Sequence, residues 1–217
     1  MTPEELLTTT RSVRRRLDVS RNVPAALINE CVEIAVQAPT GGNRQGWQWL
    51  VVTDAEKRRL IGDRYRESWY AYAAEQAAAA AAAGGPGYAE SDPRLAQTMR
   101  IVTSARYLAD HMHEVPVMVI PCIEGRAEGQ PNMTAAALYG SIAPAAWSFM
   151  LAARLRGLGS TYTTLHLRYE QEIAEALNVE YARYSQAALL PVAYYTGENF
   201  QPVERIPLES IMHWERW

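Results

Sequence analysis

Residues 134–160 read TAAALYGSIAPAAWSFMLAARLRGLGS, and the rest of the fold has to be built around them. No charged side chain occurs between residues 134 and 153, and apolar residues lie on every face of a helix drawn through them. A helix over residues 134–155 would be about 33 Å long, and such an apolar helix either spans a membrane or is buried in a core. Pro144, the many Ala, Ser and Gly residues and the absence of a second such run favour a buried central helix, one that could pack against a second subunit.

Outward from this helix, short apolar runs alternate with helical patterns. The predicted strands are residues 47–53, 115–122, 161–165 and 187–195. The predicted helices are a short one from Thr2, then residues 23–38, 54–83, 93–110 and 169–177, with Gly84-Gly85-Pro86-Gly87 ending the third. A few strands separated by helices predict an α+β fold of three layers, formed by one domain over residues 1–217.

The composition is that of an ordinary globular chain, with 48% hydrophobic residues, 21% charged residues and a net charge of −3. This charge gives no reason to expect nucleic acid or an acidic membrane as a partner. Cys31 and Cys122 lie in apolar patterns, which favour a reducing compartment over a disulfide framework. The N-terminal residues show no basic and then apolar leader pattern, so we expect a cytoplasmic protein.

The segment Arg11-Ser12-Val13-Arg14 follows the first short helix and places two guanidiniums and one hydroxyl within four residues. Such a group can bind a phosphate monoester through charge-assisted hydrogen bonds. A solvated basic turn would have the same sequence and is the commoner meaning of such a cluster. These residues alone therefore leave both interpretations open.

Three further stretches place polar groups where a loop could present them to a ligand. Residues 38–47 (APTGGNRQGW) join a helix to a strand, and their amides and glycines suit a planar, hydrogen-bonding ligand, although a plain connection would also fit. Hydroxyl groups follow the glycines of the central helix at residues 160–164 (STYTT), where a helix cap and a β-branched strand are the alternative. Arg205 stands just before Pro207, and nothing local defines its role.

The sequence offers little for metal or nucleophilic chemistry. His111 and His113 would face different sides of a helix with no third ligand nearby, and Ser160 lacks an evident base. The glycines at residues 157 and 159 are not a dinucleotide fingerprint, because the third glycine is missing. Chemistry that amino-acid side chains cannot perform would therefore require an organic cofactor.

Taken in order, these stretches resemble the nitroreductase family of FMN-dependent oxidoreductases. Residues 11–14 are similar to the family's R-S-x-R, and residues 38–47 to its A-P-S-x-x-N-x-Q-P-W loop. The Ala-rich helix that leads into residues 157–159 is similar to its central helix, and residues 205–208 to its R-x-P-L. The resemblance implies an α/β/α fold of the α+β class and an intertwined homodimer with FMN in two clefts at the interface.

The resemblance also implies roles for single residues. Arg11, Ser12 and Arg205 would hold the phosphate and the ribityl chain of FMN. Arg14 would lie near flavin N1 and O2, where negative charge gathers on reduction, and would stabilise that charge.

Other residues would contact the flavin ring. Thr163 and Thr164 resemble the Thr-Thr pair near flavin N5 in the deiodinase and flavin-destroying branches of the superfamily, so Thr164 joins Arg14 as a candidate catalytic residue. The remaining candidates belong to the loop after the second helix, which would reach the ring from the other subunit: Pro39, Thr40, Gly41 and Asn43.

The implied activity is ping-pong transfer of hydride from NADH or NADPH through flavin N5 to a small aromatic acceptor, either a nitroaromatic or a quinone. Three alternatives remain: reductive dehalogenation, a flavin-consuming synthase, and a non-catalytic FMN-binding protein whose aromatic helix covers the ring. Residues 64–100 contain no Lys, which counts against the Glu, Tyr and Lys lid of the deiodinases.

Overall fold

An antiparallel sheet with helices on both faces forms the body of the computed structural model, which describes residues 1–85 and 92–217. The described strands are Leu17–Asp18 (β1), Trp47–Val52 (β2), Val117–Glu124 (β3), Leu158–Ser160 (β4), Tyr184–Gln186 (β5) and Leu190–Tyr195 (β6). The described α-helices are Pro3–Thr9 (α1), Ala25–Ala35 (α2), Ala55–Ala82 (α3), Pro93–His111 (α4), Asn132–Leu155 (α5) and Glu170–Ala176 (α6).

Local sequence signals explain where several helices begin. Thr2 and Glu5 form a capping box, in which the Glu5 amide donates to Thr2 Oγ1 at 3.1 Å and the Thr2 amide donates to Glu5 Oε2 at 2.7 Å. Asp54 caps α3 by accepting from the Lys57 amide at 2.9 Å. The helix starts expected near residues 2, 54 and 93 are therefore confirmed.

The sheet order is β1-β6-β3-β2, with β4 paired to β6 and β5 to β3, and each described pair is antiparallel. Both faces of β3 are buried. Met118 and Ile120 pack in the same cluster as residues of α3 and α4, whereas Val117 and Val119 pack with residues of α2 and α5. Because strand side chains alternate between faces, helices must cover the sheet on both sides. The predicted α+β fold with three layers is confirmed.

The central helix is buried only in part within the single chain. Its C-terminal half is in the core, where Phe149 and Ala153 have no exposed surface. Its N-terminal half is open in the single chain: Met133 is 82% exposed, and Tyr139 is exposed as well. Sequence alone could not distinguish a face that the chain itself buries from one that only another surface could bury.

Within the described residues, α5 is the one helix long and apolar enough to cross a membrane, and 39% of its most apolar window is buried inside the chain. The core helix of a soluble protein passes the same test of length and composition, so the match is weak evidence for a membrane span. The residues of α5 that pack against α2 and the sheet are those expected of a core helix.

Several predicted boundaries were wrong. The strand expected at residues 161–165 is instead the short β4 three residues earlier, followed by one isolated bridge at Thr163 and a 3-10 turn at Leu165–Tyr169. The last strand begins at Leu190 rather than at residue 187, and the short strands β1 and β5 were missed because two or three residues carry no readable alternation. Pro86 and Gly87, expected to help end α3, lie outside the described residues.

Candidate functional site

The segment that carries Arg11 and Arg14 lies directly against β4. The Val13 amide donates to the Ser160 carbonyl at 2.9 Å. A Cβ atom at Gly159 would stand 2.9 Å from Val13 Cβ, so only glycine permits this approach. The second glycine after the central helix therefore brings the N-terminal arginines next to the strand that leads to Thr163 and Thr164.

Arg11 and Arg205, almost 200 residues apart in sequence, form a pair of like charges. Arg11 donates to the Thr10 carbonyl at 2.7 Å and to the Thr8 carbonyl at 2.5 Å, while its buried Nε has no partner. Burial lowers the pKa of Arg11, and the positive charge of Arg205 lowers it further. Among the described residues neither guanidinium has a carboxylate within ion-pair distance. Two cations whose charges act on one another and that have no counter-ion among the described residues suit a phosphate group.

Arg14 lies deeper, in a cluster with Tyr65 and Thr163. Burial lowers the pKa of Arg14 and the Tyr65 phenol acts in the opposite direction, while Arg14 Nη1 donates to Ser104 Oγ at 3.4 Å. Tyr65, on α3, is 3% exposed, and its hydroxyl is 3.0 Å from Thr163 Oγ1. Burial raises the pKa of Tyr65, partly offset by the Thr163 hydrogen bond and by Arg14. A cation, a phenol and a threonine hydroxyl thus occupy one half-buried site.

Thr163 and Thr164 have different surroundings. Thr163 exchanges two backbone hydrogen bonds with Leu189, at 3.2 and 2.8 Å, which fix its position relative to the sheet. Thr164 is exposed at the start of the 3-10 turn, and its side chain does not cap that turn. Ser12 is exposed too, one residue from Arg11. The hydroxyls of Thr164 and Ser12 are therefore open to a ligand, whereas that of Thr163 is already bonded.

The loop between α2 and β2 is ordered by contacts with α5. The Gly41 amide donates to Ser141 Oγ at 3.0 Å, and Trp47 Nε1 donates to the Ser141 carbonyl at 2.9 Å. Within the loop, the Gln45 amide donates to Thr40 Oγ1 at 3.1 Å and Gln45 Nε2 donates to Asn43 Oδ1 at 3.0 Å. Gly42, Asn43 and Gln45 adopt positive φ of 61°, 52° and 50°, a conformation that glycine and asparagine tolerate better than most residues. The hydrogen bonds give the loop a defined backbone conformation, yet most of its residues are exposed.

Comparison with known proteins assigns the chain. The model of the Nitroreductase family matches residues 7–194, which include every candidate residue except Arg205. The chain belongs to the nitroreductase family. As a member of it, the chain is an oxidoreductase.

Individual relatives of this nitroreductase-family chain are distant. It is 28% identical over 218 residues to an NADH dehydrogenase of Thermus thermophilus, covering 94% of this chain and 91% of that one. It is similar to the structure of the FMN and NADPH-dependent nitroreductase NfnB from Sphingopyxis sp. strain HMH (23% identity, 100% of both chains, TM-score 0.64). It is also similar to iodotyrosine deiodinase bound to FMN and 3-iodo-L-tyrosine (18% identity, 99% of both chains, TM-score 0.66). At these identities the structural likeness establishes the fold.

The nitroreductase fold brings together some of the predicted residues and leaves others apart. The charge of Arg205 acts on Arg11, and Tyr65 links Arg14 with Thr163. Among the described residues no hydrogen bond or ion pair joins the loop at residues 39–45 to either group. The placement of Pro39, Thr40, Gly41 and Asn43 at the cofactor therefore stays a prediction.

The sequence did not single out two residues of this region. Tyr65 was one of several aromatics on a helix that could equally have been plain core. His166, two residues after Thr164, has no exposed surface, and neither ring nitrogen has a hydrogen-bond partner among the described residues. Burial lowers the pKa of His166 to about 3, so the imidazole is neutral. The flanking residues, Leu165 and Leu167, do not indicate that His166 is buried or that its ring lacks a hydrogen-bond partner.

Proposed function

We propose that this nitroreductase-family chain is a cytoplasmic, FMN-dependent oxidoreductase that acts as a homodimer and passes hydride from NADH or NADPH to nitroaromatic or quinone-type acceptors. The observation that carries the proposal is the positive charge at Arg11, Arg14 and Arg205, which no carboxylate among the described residues compensates by an ion pair, in a chain whose net charge is −3. Such a set fits one anionic cofactor with a single terminal phosphate. No second nucleotide-binding motif accompanies it in the sequence.

In the proposed site each residue has a distinct task. Arg11 and Arg205 bind the phosphate, and the exposed hydroxyl of Ser12 adds a short hydrogen bond. Arg14 faces the ring and, because it is desolvated, stabilises negative charge there more strongly than a solvated arginine would. FMN, when bound, supplies the hydride transfer between nicotinamide and acceptor.

Thr163 and Thr164 would approach the reactive side of the ring. Tyr65 fixes the Thr163 hydroxyl by its 3.0 Å hydrogen bond, and this leaves the Thr164 hydroxyl free to meet the cofactor or the acceptor. We assign Thr164, with Arg14, to the residues that touch the reacting atoms.

The second subunit would complete this site. The N-terminal half of α5 exposes Met133 and Tyr139, and the C-terminal residues Ile211 and Trp214 are exposed as well. Large apolar surfaces of this kind are typical of obligate interfaces. The same interface would bring Pro39, Thr40, Gly41 and Asn43 of one subunit to the flavin of the other.

Purification and anaerobic reduction test the proposal. The protein should be yellow and should release FMN, not FAD, on denaturation. NADH or NADPH should bleach it, and a nitroaromatic or quinone should restore the colour. Colourless protein that gains no visible absorbance with added FMN would refute the cofactor assignment.

Testing further acceptors with the reduced protein also separates the proposed function from its three alternatives. Oxidation of the reduced protein by a halogenated phenol with release of halide would indicate dehalogenation, for which the Thr163-Thr164 pair is the one favourable feature. Loss of the flavin itself during reaction with oxygen would indicate a flavin-consuming synthase. Tight FMN binding with no oxidation of either nucleotide would indicate a non-catalytic flavin-binding protein.

A further inference from the structure

The C-terminal segment after β6 is fixed to the body of the protein by Arg16. Arg16 donates to three carbonyl groups of this segment: Nε to Thr196 and Nη2 to Gly197, both at 2.5 Å, and Nη1 to Asn199 at 3.1 Å. In return, the Thr196 amide donates to the Arg16 carbonyl at 2.9 Å. Gly197 has a φ of +75°, and a Cβ there would stand 3.2 Å from Arg16 Nη2, so glycine suits this close contact.

The next side chain of the segment, Phe200, lies between two guanidiniums. Its ring centroid is 4.4 Å from Arg16 Cζ and 3.6 Å from Arg154 Cζ, and it contacts Tyr195 edge-on at 4.9 Å. Cation–π contacts of this kind are strongest where water is excluded, and Arg154 is only 6% exposed. In the described part of the chain neither Arg16 nor Arg154 has a carboxylate within ion-pair distance. The aromatic ring is therefore a group that both like charges contact, in addition to the carbonyl groups to which each donates.

The same cluster also contacts the N-terminal segment of the candidate phosphate site. Arg154 Nη1 donates to the Thr9 carbonyl at 3.1 Å and Nη2 to Thr9 Oγ1 at 3.2 Å. Thr9 is two residues before Arg11, and Phe200 is five residues before Arg205. One contact, that of the buried Arg154 with the half-buried Phe200, therefore joins the two segments that carry Arg11 and Arg205.

We propose that Phe200, held between Arg16 and Arg154, is a positioning residue that brings Arg205 beside Arg11 so that the pair can bind the cofactor phosphate. This inference rests on the proposed function. Without the ring, Arg16 would still hold residues 196–199, but the segment beyond would no longer be directed toward Arg11. Removal of the Phe200 ring should therefore weaken the binding only of a ligand that carries a phosphate. Riboflavin has the ring system and ribityl chain of FMN and lacks that phosphate.

The test compares FMN and riboflavin binding to the full-length protein freed of cofactor. Phe200→Ala should raise the Kd for FMN about tenfold or more, the loss expected for one hydrogen bond to a charged group, and should change the Kd for riboflavin less than about twofold. Arg205→Ala should give the same pattern, and the double variant should be no weaker than Arg205→Ala alone. Phe200→Tyr, which keeps the π face, should restore FMN affinity.

Two further variants keep the test decisive. Phe200→Leu keeps an apolar side chain without a π face and should show the same selective loss if Phe200→Ala does not fold. Trp217→Ala removes another aromatic of the C-terminal segment, one whose ring packs on His213, and should leave both affinities unchanged.

The outcomes separate this inference from the function on which it rests. Equal weakening of FMN and riboflavin in the Phe200 variants, or no weakening of either, would overturn the positioning role while leaving the proposed function intact. Wild-type protein that binds neither ligand would overturn the proposed function and this inference with it.

Discussion

The two regions of the candidate site differ in how much of their structure one chain supplies. The arginine region, formed by residues 11–14, Tyr65, Thr163 and Arg205, is assembled by contacts between distant segments. The loop region, residues 39–45, rests on α5 through Ser141 but faces outward beside the exposed half of that helix.

The difference shows which interactions each region still lacks. In the arginine region, buried or converging cations have no counter-ion among the described residues, so an anionic ligand is the missing partner. In the loop region the backbone is ordered, and the neighbouring half of α5 exposes the apolar side chains of Met133 and Tyr139. We therefore expect a small anion to complete the first region and a second subunit to complete the second.

The largest effect should come from placing a charge on the exposed half of α5. Ala136 is exposed in the single chain, and Ala136→Arg would bury an unpaired guanidinium if two copies meet there. We expect a monomer at micromolar concentration by sedimentation velocity, with FMN affinity reduced about 100-fold or more because the cofactor loses its contacts with the loop region of the second subunit.

A charge elsewhere provides the matched control. Gln171→Arg on the exposed surface of α6 should remain dimeric and bind FMN like the wild type. A dimeric, fully loaded Ala136→Arg variant would show that this half of α5 is not at the interface, and the two regions would then differ for another reason.

The next effect concerns Arg14, in the arginine region. Arg14→Ala should lower the midpoint potential of the bound flavin, because a preorganised cation no longer stabilises charge on the reduced ring. The loss of one such donor corresponds to about 2–4 kcal/mol, or about 40–90 mV for a two-electron couple. Arg14→Lys, which keeps the charge, should recover part of the shift.

Arg205→Ala is the contrasting variant within the same region. It should weaken FMN binding and leave the potential of the bound flavin nearly unchanged, since its charge lies at the phosphate. An Arg14→Ala variant that changes affinity alone would place Arg14 at the phosphate too, and the proposed orientation of the ring would be wrong.

Acid should destabilise the protein through His166. Burial holds its folded pKa at about 3, below the ordinary value of 6.5. Between these values the unfolded chain binds a proton that the folded chain does not, so the free energy of unfolding falls as pH drops. The contribution is complete above pH 6.5 and is lost by about 1.4 kcal/mol per pH unit below it.

Urea unfolding at pH values from 7 to 5 measures how steeply the free energy of unfolding changes with pH. His166→Leu should make the slope shallower, whereas His213→Leu, at an exposed position, should not change it. Equal slopes in the wild type and His166→Leu would mean that the buried imidazole gains a proton without cost.

The sequence supplies the candidate residues of the site more readily than it supplies the contacts that assemble them. Arg11, Arg14 and Arg205 belong to short motifs that can be recognised locally, and the fold class follows from the alternation of helices and strands. Tyr65 and Phe200 could not be recognised, because their roles depend on contacts with residues about 98 and 46 positions away. The prediction of a strand at residues 161–165 was wrong because Thr163 pairs with Leu189 at one isolated bridge only. A β-branched composition favours a strand but does not show how many of its residues will pair.

The smallest effects come from removing one hydrogen bond in each region. Tyr65→Phe removes the bond to Thr163 Oγ1 inside a buried cluster, where water cannot readily replace it. It should lower the free energy of unfolding by about 1 kcal/mol. Thr163→Val should cost a similar amount, and the double variant should cost less than the sum of the two, because both remove the same bond.

Ser141→Ala removes the hydroxyl that accepts from the Gly41 amide and donates to the Ala137 carbonyl; Ser141 is buried, but Gly41 is exposed, so its amide can bond to water instead. Its effect on unfolding should be only a few tenths of a kcal/mol, about a third of the effect in the buried cluster. The loop is nevertheless freed from α5, so FMN and riboflavin should both bind more weakly, and to the same extent, because the loop meets the ring and not the phosphate. Urea unfolding and paired titrations of the two flavins measure both quantities. If Ser141→Ala costs as much stability as Tyr65→Phe, the loop is as firmly built into the single chain as the arginine region, and the contrast between the two regions fails.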